Sequence, residues 1–259
     1  MKIMCCDETN ASPSKNVNFF VYGGLVVDAD QLGPLSEDIA AIRIKSGFGA
    51  DDSLKFRTAS RPEALDRDEW TNSKSKTIKS CREHGAKFIA CLILHQIAKG
   101  GAKETSTWQL NTCAEEFNRR LTNESDYGMV IIDRVADHRE YKLLGKIFRT
   151  GGETPWGENR EFTRIVSYSS TSDGASHLAS ATDIVLGSFA HCINHVDDET
   201  LRCRDLFKSL EQLFTESPEY SASSKNWEGL IFSPATVKIP KYSQQYEELK
   251  SYLSRLSSS

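Results

Sequence analysis

Four acids in this chain stand where a carboxylate is costly without a partner. Asp7 and Glu8 close the first apolar run, MKIMCC, and Asp133 closes another, GMVIID. Asp183 is the only acid between Gly174 and Val196, a stretch that also lacks Lys and Arg. A charge at the end of a buried strand, or on an otherwise uncharged helix, is unfavourable unless something compensates it. A divalent cation does so: Mg²⁺ is hard, prefers oxygen ligands and usually takes only one or two protein carboxylates per ion. The pattern points to metal-dependent phosphodiester chemistry without naming a substrate.

Plainer readings stand beside this one. Asp133 alone reads equally well as a surface carboxylate that ends a strand, or as the N-cap of the next element. Asp183 is more telling. On a helical wheel Leu178, Val185, Phe189 and Ile193 share one face, and Asp183 lies opposite with Ser176, Ser180, Gly187 and Asn194. A solvated helix face carries long charged side chains, whereas this stripe is narrow and small. Such a face is covered or opens into a cleft; the alternative is a buried Asp that hydrogen-bonds backbone.

Lys55, between Leu54 and Phe56, is the candidate for holding a phosphate or developing negative charge. Its alternative is a solvated loop lysine. His191 and His195 have zinc spacing, but HCINH lacks the central Glu of H-E-x-x-H, so surface or core histidines are the better reading. Ser167, Ser169, Ser170, Ser172 and Ser176 carry no G-x-S-x-G and are discounted as nucleophiles.

These residues must be positioned by alternating strands and helices. Ile3 to Asp7 and Asn18 to Val27 read as a hairpin, with Gly23-Gly24 marking a bulge or a close approach. Residues 31–46 have helical spacing at Leu32, Leu35, Ile39, Ile42 and Ile44. A charged, irregular stretch leads to a polar helix from Ser73 to His84. Ala86 to Leu94, Gly128 to Asp133 and Phe162 to Tyr168 read as strands. Thr107 to Leu121, Arg139 to Phe148, Ser176 to His195 and Leu201 to Phe214 read as helices. Leu230 to Ile239 reads as a strand interrupted at Pro234, and Gln244 to Leu256 as a terminal helix. Helices alternating with strands predict an α/β layer fold, and the hairpin makes its sheet mixed.

At 259 residues, 39% hydrophobic and 26% charged, the composition is that of a soluble globular protein. Mean hydropathy is −0.45 and the pI about 5.9. No apolar run approaches the roughly 20 residues that span a membrane, and the start does not read as a signal peptide. A cytoplasmic protein with no membrane partner is expected. Seven cysteines without a C-x-x-C signal neither a disulfide framework nor a zinc ribbon. A net charge of −4 argues against non-specific coating of nucleic acid, so any such binding needs a local basic surface.

The segments CDET with Asn10, FFVYGGLVV, SLKF, MVIIDR and HLASATDIVLGSF, in this order and spacing, resemble the DUF3800 family of bacterial and phage proteins. The resemblance covers roughly residues 1–196. It implies a ribonuclease-H-like mixed sheet flanked by helices, with a helical insertion after the second strand at about 28–85. The core domain would run over 1–214, with 215–259 as a linker, strand and helix packed on it. Asp7 and Glu8 match the family's Asp-Glu motif, Lys55 its lysine, Asp133 its strand-end acid and Asp183 its final Asp. Thr9-Asn10 stands where Ser-Gly is usual, and Ser180 where the Gln of Q-x-x-D would be, which removes one side-chain contact.

The resulting expectation is a metal-dependent nuclease. Asp7, Asp133 and Asp183, assisted by Glu8, would hold Mg²⁺ or Mn²⁺, and Lys55 would hold a phosphate. Arg57, Arg61, Arg67, Lys74, Lys76 and Lys79 would form a backbone-binding surface. The competing expectation is a non-catalytic module that binds nucleic acid or a protein partner in a larger complex, such as one of phage defence.

Overall fold

The first two apolar runs pair as the hairpin predicts. In the computed structural model, which describes residues 1–10, 13, 17–98, 101–133, 139–153, 159–194, 201–216 and 227–258, β1 (Lys2–Thr9) runs antiparallel to β2 (Phe19–Asp28). Helices α1 (Leu32–Ser46) and α2 (Arg67–Glu83) form the insertion after the second strand. Then come β3 (Lys87–Leu94), α3 (Ala102–Asn123), β4 (Gly128–Asp133) and α4 (Arg139–Thr150). A small ribbon of β5 (Gly152–Glu153) and β6 (Asn159–Arg160) precedes β7 (Ile165–Thr171), α5 (His177–Asn194) and α6 (Leu201–Glu211). A second ribbon of β8 (Thr215–Glu216) and β9 (Trp227–Glu228) leads to β10 (Leu230–Phe232) and α7 (Pro240–Ser258).

The main sheet has six strands in the order β10-β3-β2-β1-β4-β7. β2 is antiparallel to both of its neighbours, whereas β1 with β4, β4 with β7 and β3 with β10 are parallel. The result is the mixed α/β sheet flanked by helices that the sequence predicts. The C-terminal stretch completes the sheet: β10 pairs with β3, and Tyr246 of α7 donates its hydroxyl to Ser233 O at 2.6 Å while accepting the Leu94 N–H at 3.0 Å.

Each face of the sheet has its own core, because strand side chains alternate. Ile3 and Cys5 of β1, with Val21, Leu25 and Val27 of β2, pack under α1, α2, α5, α6 and α7. Met4 and Cys6, with Phe20, Tyr22 and Val26, pack under α3 and α4. All seven cysteines are buried thiols, none in a disulfide. Among the described residues no helix is long and apolar enough to cross a membrane.

Gly23 and Gly24 do not mark a bulge. Their register is unbroken against both β1 and β3. They mark a close approach instead: a Cβ at Gly23 would lie 2.7 Å from the Ile89 carbonyl oxygen and 3.1 Å from Leu186 of α5. Other boundaries move for identifiable reasons. α2 starts at Arg67 because the Asp66 carboxylate accepts the Glu69 N–H at 2.7 Å, an N-cap that Asp68 and Glu69 reinforce. β7 starts at Ile165 because Phe162 to Ile165 closes a turn, with the Ile165 N–H on Phe162 O. Ile44, placed on the apolar face of α1 by spacing, is 77% exposed; that face is held by Leu35 and Ile39.

Candidate functional site

The parallel register of β1 on β4 runs from Lys2↔Gly128 to Cys6↔Ile132. Asp7 and Asp133 are the next residue on each strand, just past the last paired positions of two adjacent parallel strands. Cys6 and Ile132 belong to the α3 and α4 core, so alternation sends Asp7 and Asp133 to the opposite face, beneath α5. Both are only part-buried. Asp7 Oδ1 accepts the Glu8 backbone N–H at 2.7 Å, which orients the carboxylate.

α5 brings Asp183 to the same end of the sheet. Ser176 caps the helix by accepting the Ala179 N–H at 3.2 Å. Thr182, fully buried, shares its hydroxyl between the Leu178 carbonyl of its own helix at 2.9 Å and the carbonyl of Cys5 at 3.3 Å, two residues before Asp7. Asp183 is the next residue. Its Oδ2 accepts the backbone N–H of Phe56 at 2.5 Å. The small stripe of α5 is covered, as its composition suggests. A Cβ at Gly187 would lie 2.5 Å from the Phe56 ring, and Asn194 accepts the N–H groups of Asn18 and Phe19. Asp183 therefore matches the backbone-bonded reading of the sequence, on a helix face that is covered.

Lys55 is brought to this place by its neighbours. Leu54 is fully buried in the core beneath α5, Phe56 packs on Gly187, and the Lys55–Phe56 peptide supplies the N–H that Asp183 accepts. Lys55 itself is part-buried.

Glu8 does not join the other acids. It follows Asp7 on a strand, so it points to the opposite face, where its Oε2 accepts the Ser106 hydroxyl of α3. Tyr22, its cross-strand partner, has its phenol pushed well up, by burial first and then by neighbours that include Cys6, Cys113, Glu8 and Asp7. Asp7 and Glu8 thus point to opposite faces of the sheet, and the four acids do not converge as one set. Among the described residues no group of three or more His, Cys, Asp or Glu is gathered to hold a metal ion. The donor set that fits Mg²⁺ or Mn²⁺ is the Asp7–Asp133 pair, which offers two hard carboxylates side by side.

The basic surface expected of the insertion also contracts. Lys74 is buried, Lys76 is paired with Glu69 at 3.2 Å and Lys79 with Glu83 at 3.6 Å. Arg61 donates to Leu65 O. Arg57, Arg61, Arg67 and Lys79 are exposed. Of the zinc-spaced histidines, His191 lies against the Phe56 ring, with centroids 6.2 Å apart, and His195 lies outside the described residues. Sequence reasoning missed Phe56, whose backbone N–H carries no sequence signature, and it took Lys74 for a surface residue, whereas Lys74 is buried against Phe56 and Trp70.

No protein-family model and no curated protein matches the chain. Solved structures do. A ribonuclease HII from Archaeoglobus fulgidus, solved as a complex with PCNA, is 12% identical, with a TM-score of 0.44 over 80% of this chain and 87% of that one. The ribonuclease H2 from Pyrococcus horikoshii OT3 is 14% identical, with a TM-score of 0.40 over 80% and 86%. At these scores the likeness is one of overall chain course and carries no residue-level correspondence.

Proposed function

We propose that this protein is a divergent DUF3800-type enzyme that hydrolyses phosphodiester bonds of nucleic acid with the help of Mg²⁺ or Mn²⁺. The observation that carries the reading is the parallel β1–β4 register, whose last pair, Cys6 with Ile132, is followed by Asp7 near the end of β1 and by Asp133 at the end of β4. Crevices beyond the carboxyl ends of parallel strands are where α/β sheets bind ligands. Asp7 and Asp133 would hold the cation, with Asp183 adjoining. Bound there, the ion would supply an acidified water and neutralise charge on the phosphate. Lys55 would place a positive charge on the substrate side of Asp183, and Arg57 would extend contact along the backbone.

The direct test incubates the full chain with Mn²⁺ and a panel of single- and double-stranded RNA, DNA and RNA–DNA hybrids. Cleavage that requires Mn²⁺ and is lost in Asp133→Asn supports the reading. A wild-type protein that neither cleaves any member nor melts higher in Mn²⁺ overturns it.

A second reading has an observation of its own. Asp183 is committed to a backbone N–H, and the acids are not gathered as a set of three. This favours a non-catalytic module that binds nucleic acid or a partner protein. Binding to members of the same panel, without cleavage and without a response to Mn²⁺, is its signature.

A further inference from the structure

Lys74 stands on the polar helix α2, yet it is only 9% exposed. Its Nζ lies 4.8 Å from the centroid of the Phe56 ring and 5.3 Å from that of Trp70, the residue one turn earlier. It also lies 3.5 Å from the Phe56 carbonyl oxygen, a long but directed contact. An ammonium held away from water needs compensation. Two aromatic faces and a carbonyl supply part of it.

The same Phe56 donates its N–H to Asp183 at 2.5 Å and seats its ring on Gly187, one turn along α5 from Asp183. Phe56 therefore meets both the cation and the carboxylate. Lys74 holds the ring and carbonyl of Phe56, and Phe56 holds Asp183 through its N–H. This series joins the insertion to the helix that overlies the strand-end acids.

We infer that Lys74 is a positioning residue for Asp183, acting through Phe56. The inference rests on the reading of Asp183 as part of the site. The ammonium touches neither substrate nor cation in this role. It keeps the 54–56 segment seated, so that the Asp183 carboxylate is held in one orientation by the Phe56 N–H. The insertion thereby becomes part of the site's construction.

A double-mutant cycle on the full chain tests this without needing activity. Unfolding midpoints are measured in the absence of metal for Lys74→Met, Asp183→Asn and the double variant, and Mn²⁺ affinity is measured by calorimetry. Coupling predicts that the double variant melts near the worse single one, since each change already breaks the series. It also predicts that Lys74→Met weakens Mn²⁺ binding about tenfold, and that Lys74→Arg restores most of both. Additive midpoints together with unchanged Mn²⁺ affinity in Lys74→Met overturn the inference. A second cycle, with Phe56→Leu in place of Lys74→Met, reads the series from its middle, and additivity there overturns it even if Lys74→Met does not fold. If the wild type binds no Mn²⁺, the metal reading fails, while the two stability cycles still decide whether Lys74 and Asp183 are coupled.

Discussion

Asp183 accepts the backbone N–H of Phe56 at 2.5 Å, across 127 residues of chain. One carboxylate thus docks the insertion onto α5, the helix whose Thr182 reaches the Cys5 carbonyl two residues before Asp7. That docking predicts a mutational cost. Asp183→Ala strands a part-buried N–H, which costs about 1–3 kcal/mol. In a chain of this size that lowers the unfolding midpoint by about 2–4 °C per kcal/mol. Asp183→Asn keeps an acceptor oxygen and should lose less. Equal midpoints for wild type and Asp183→Ala would show that the contact contributes nothing.

Asp7 and Asp133 make the opposite prediction. Two like charges on adjacent strand ends repel each other when no cation lies between them. Asp7→Asn or Asp133→Asn should leave the metal-free midpoint unchanged or raise it by a few degrees, about 2–4 °C per kcal/mol. Either change should also abolish the rise in midpoint that Mn²⁺ gives the wild type. Calorimetric scans with and without Mn²⁺ check both halves, and a midpoint well below wild type without metal would mean that the pair is structural.

Glu8→Gln isolates the strand alternation. Its side chain lies on the α3 face with Ser106. Mn²⁺ affinity should therefore stay within about twofold of wild type, far less than the tenfold that 1.4 kcal/mol represents. A loss as large as that of Asp7→Asn would place Glu8 among the ligands after all.

Lys55→Ala addresses the nucleic-acid reading. If the ammonium meets a backbone phosphate, its removal releases one fewer counterion on binding. The slope of log affinity against log salt should then flatten by about 0.7–0.9. Cleavage should fall while Mn²⁺ affinity is kept. Oligonucleotide titrations across a salt series measure this, and an unchanged slope with unchanged cleavage removes Lys55 from the site.

Acidification offers a test that does not involve the site. Burial, as the first cause, holds both His95 and His177 below the ordinary 6.5; a backbone hydrogen bond at Asn10 opposes the shift at His95, and Arg43 adds to it at His177. The folded state therefore prefers neutral rings, whereas the unfolded chain takes up protons near 6.5. Stability present above that pH is lost as pH falls from it towards the depressed folded values. The unfolding midpoint should decline as pH falls through and below 6.5, and His95→Gln should reduce the slope. A flat profile for the wild type would count against the burial of both rings.

Much of this was legible in the residues themselves. Apolar runs that alternate or repeat at helical spacing have few ways to bury themselves, so β1, β2, β4 and α5 lie close to where their patterns put them. The small stripe on α5 announced a covered face because nothing on it was long enough to be solvated, and Phe56 on Gly187 is that cover. Acids at strand ends were visible because the runs stop on them.

Other features depend on contacts between distant segments, which a local pattern does not encode. Only the parallel crossover sets Asp133 beside Asp7, since strand neighbours are chosen by the whole sheet. Opposite faces for Asp7 and Glu8 follow from alternation, but which helix waits on each face does not. Lys74 reads as a surface lysine until Phe56 and Trp70 close around it. The Phe56 N–H, identical in chemistry to any other backbone amide, acquires its meaning only when folding brings Asp183 within 2.5 Å.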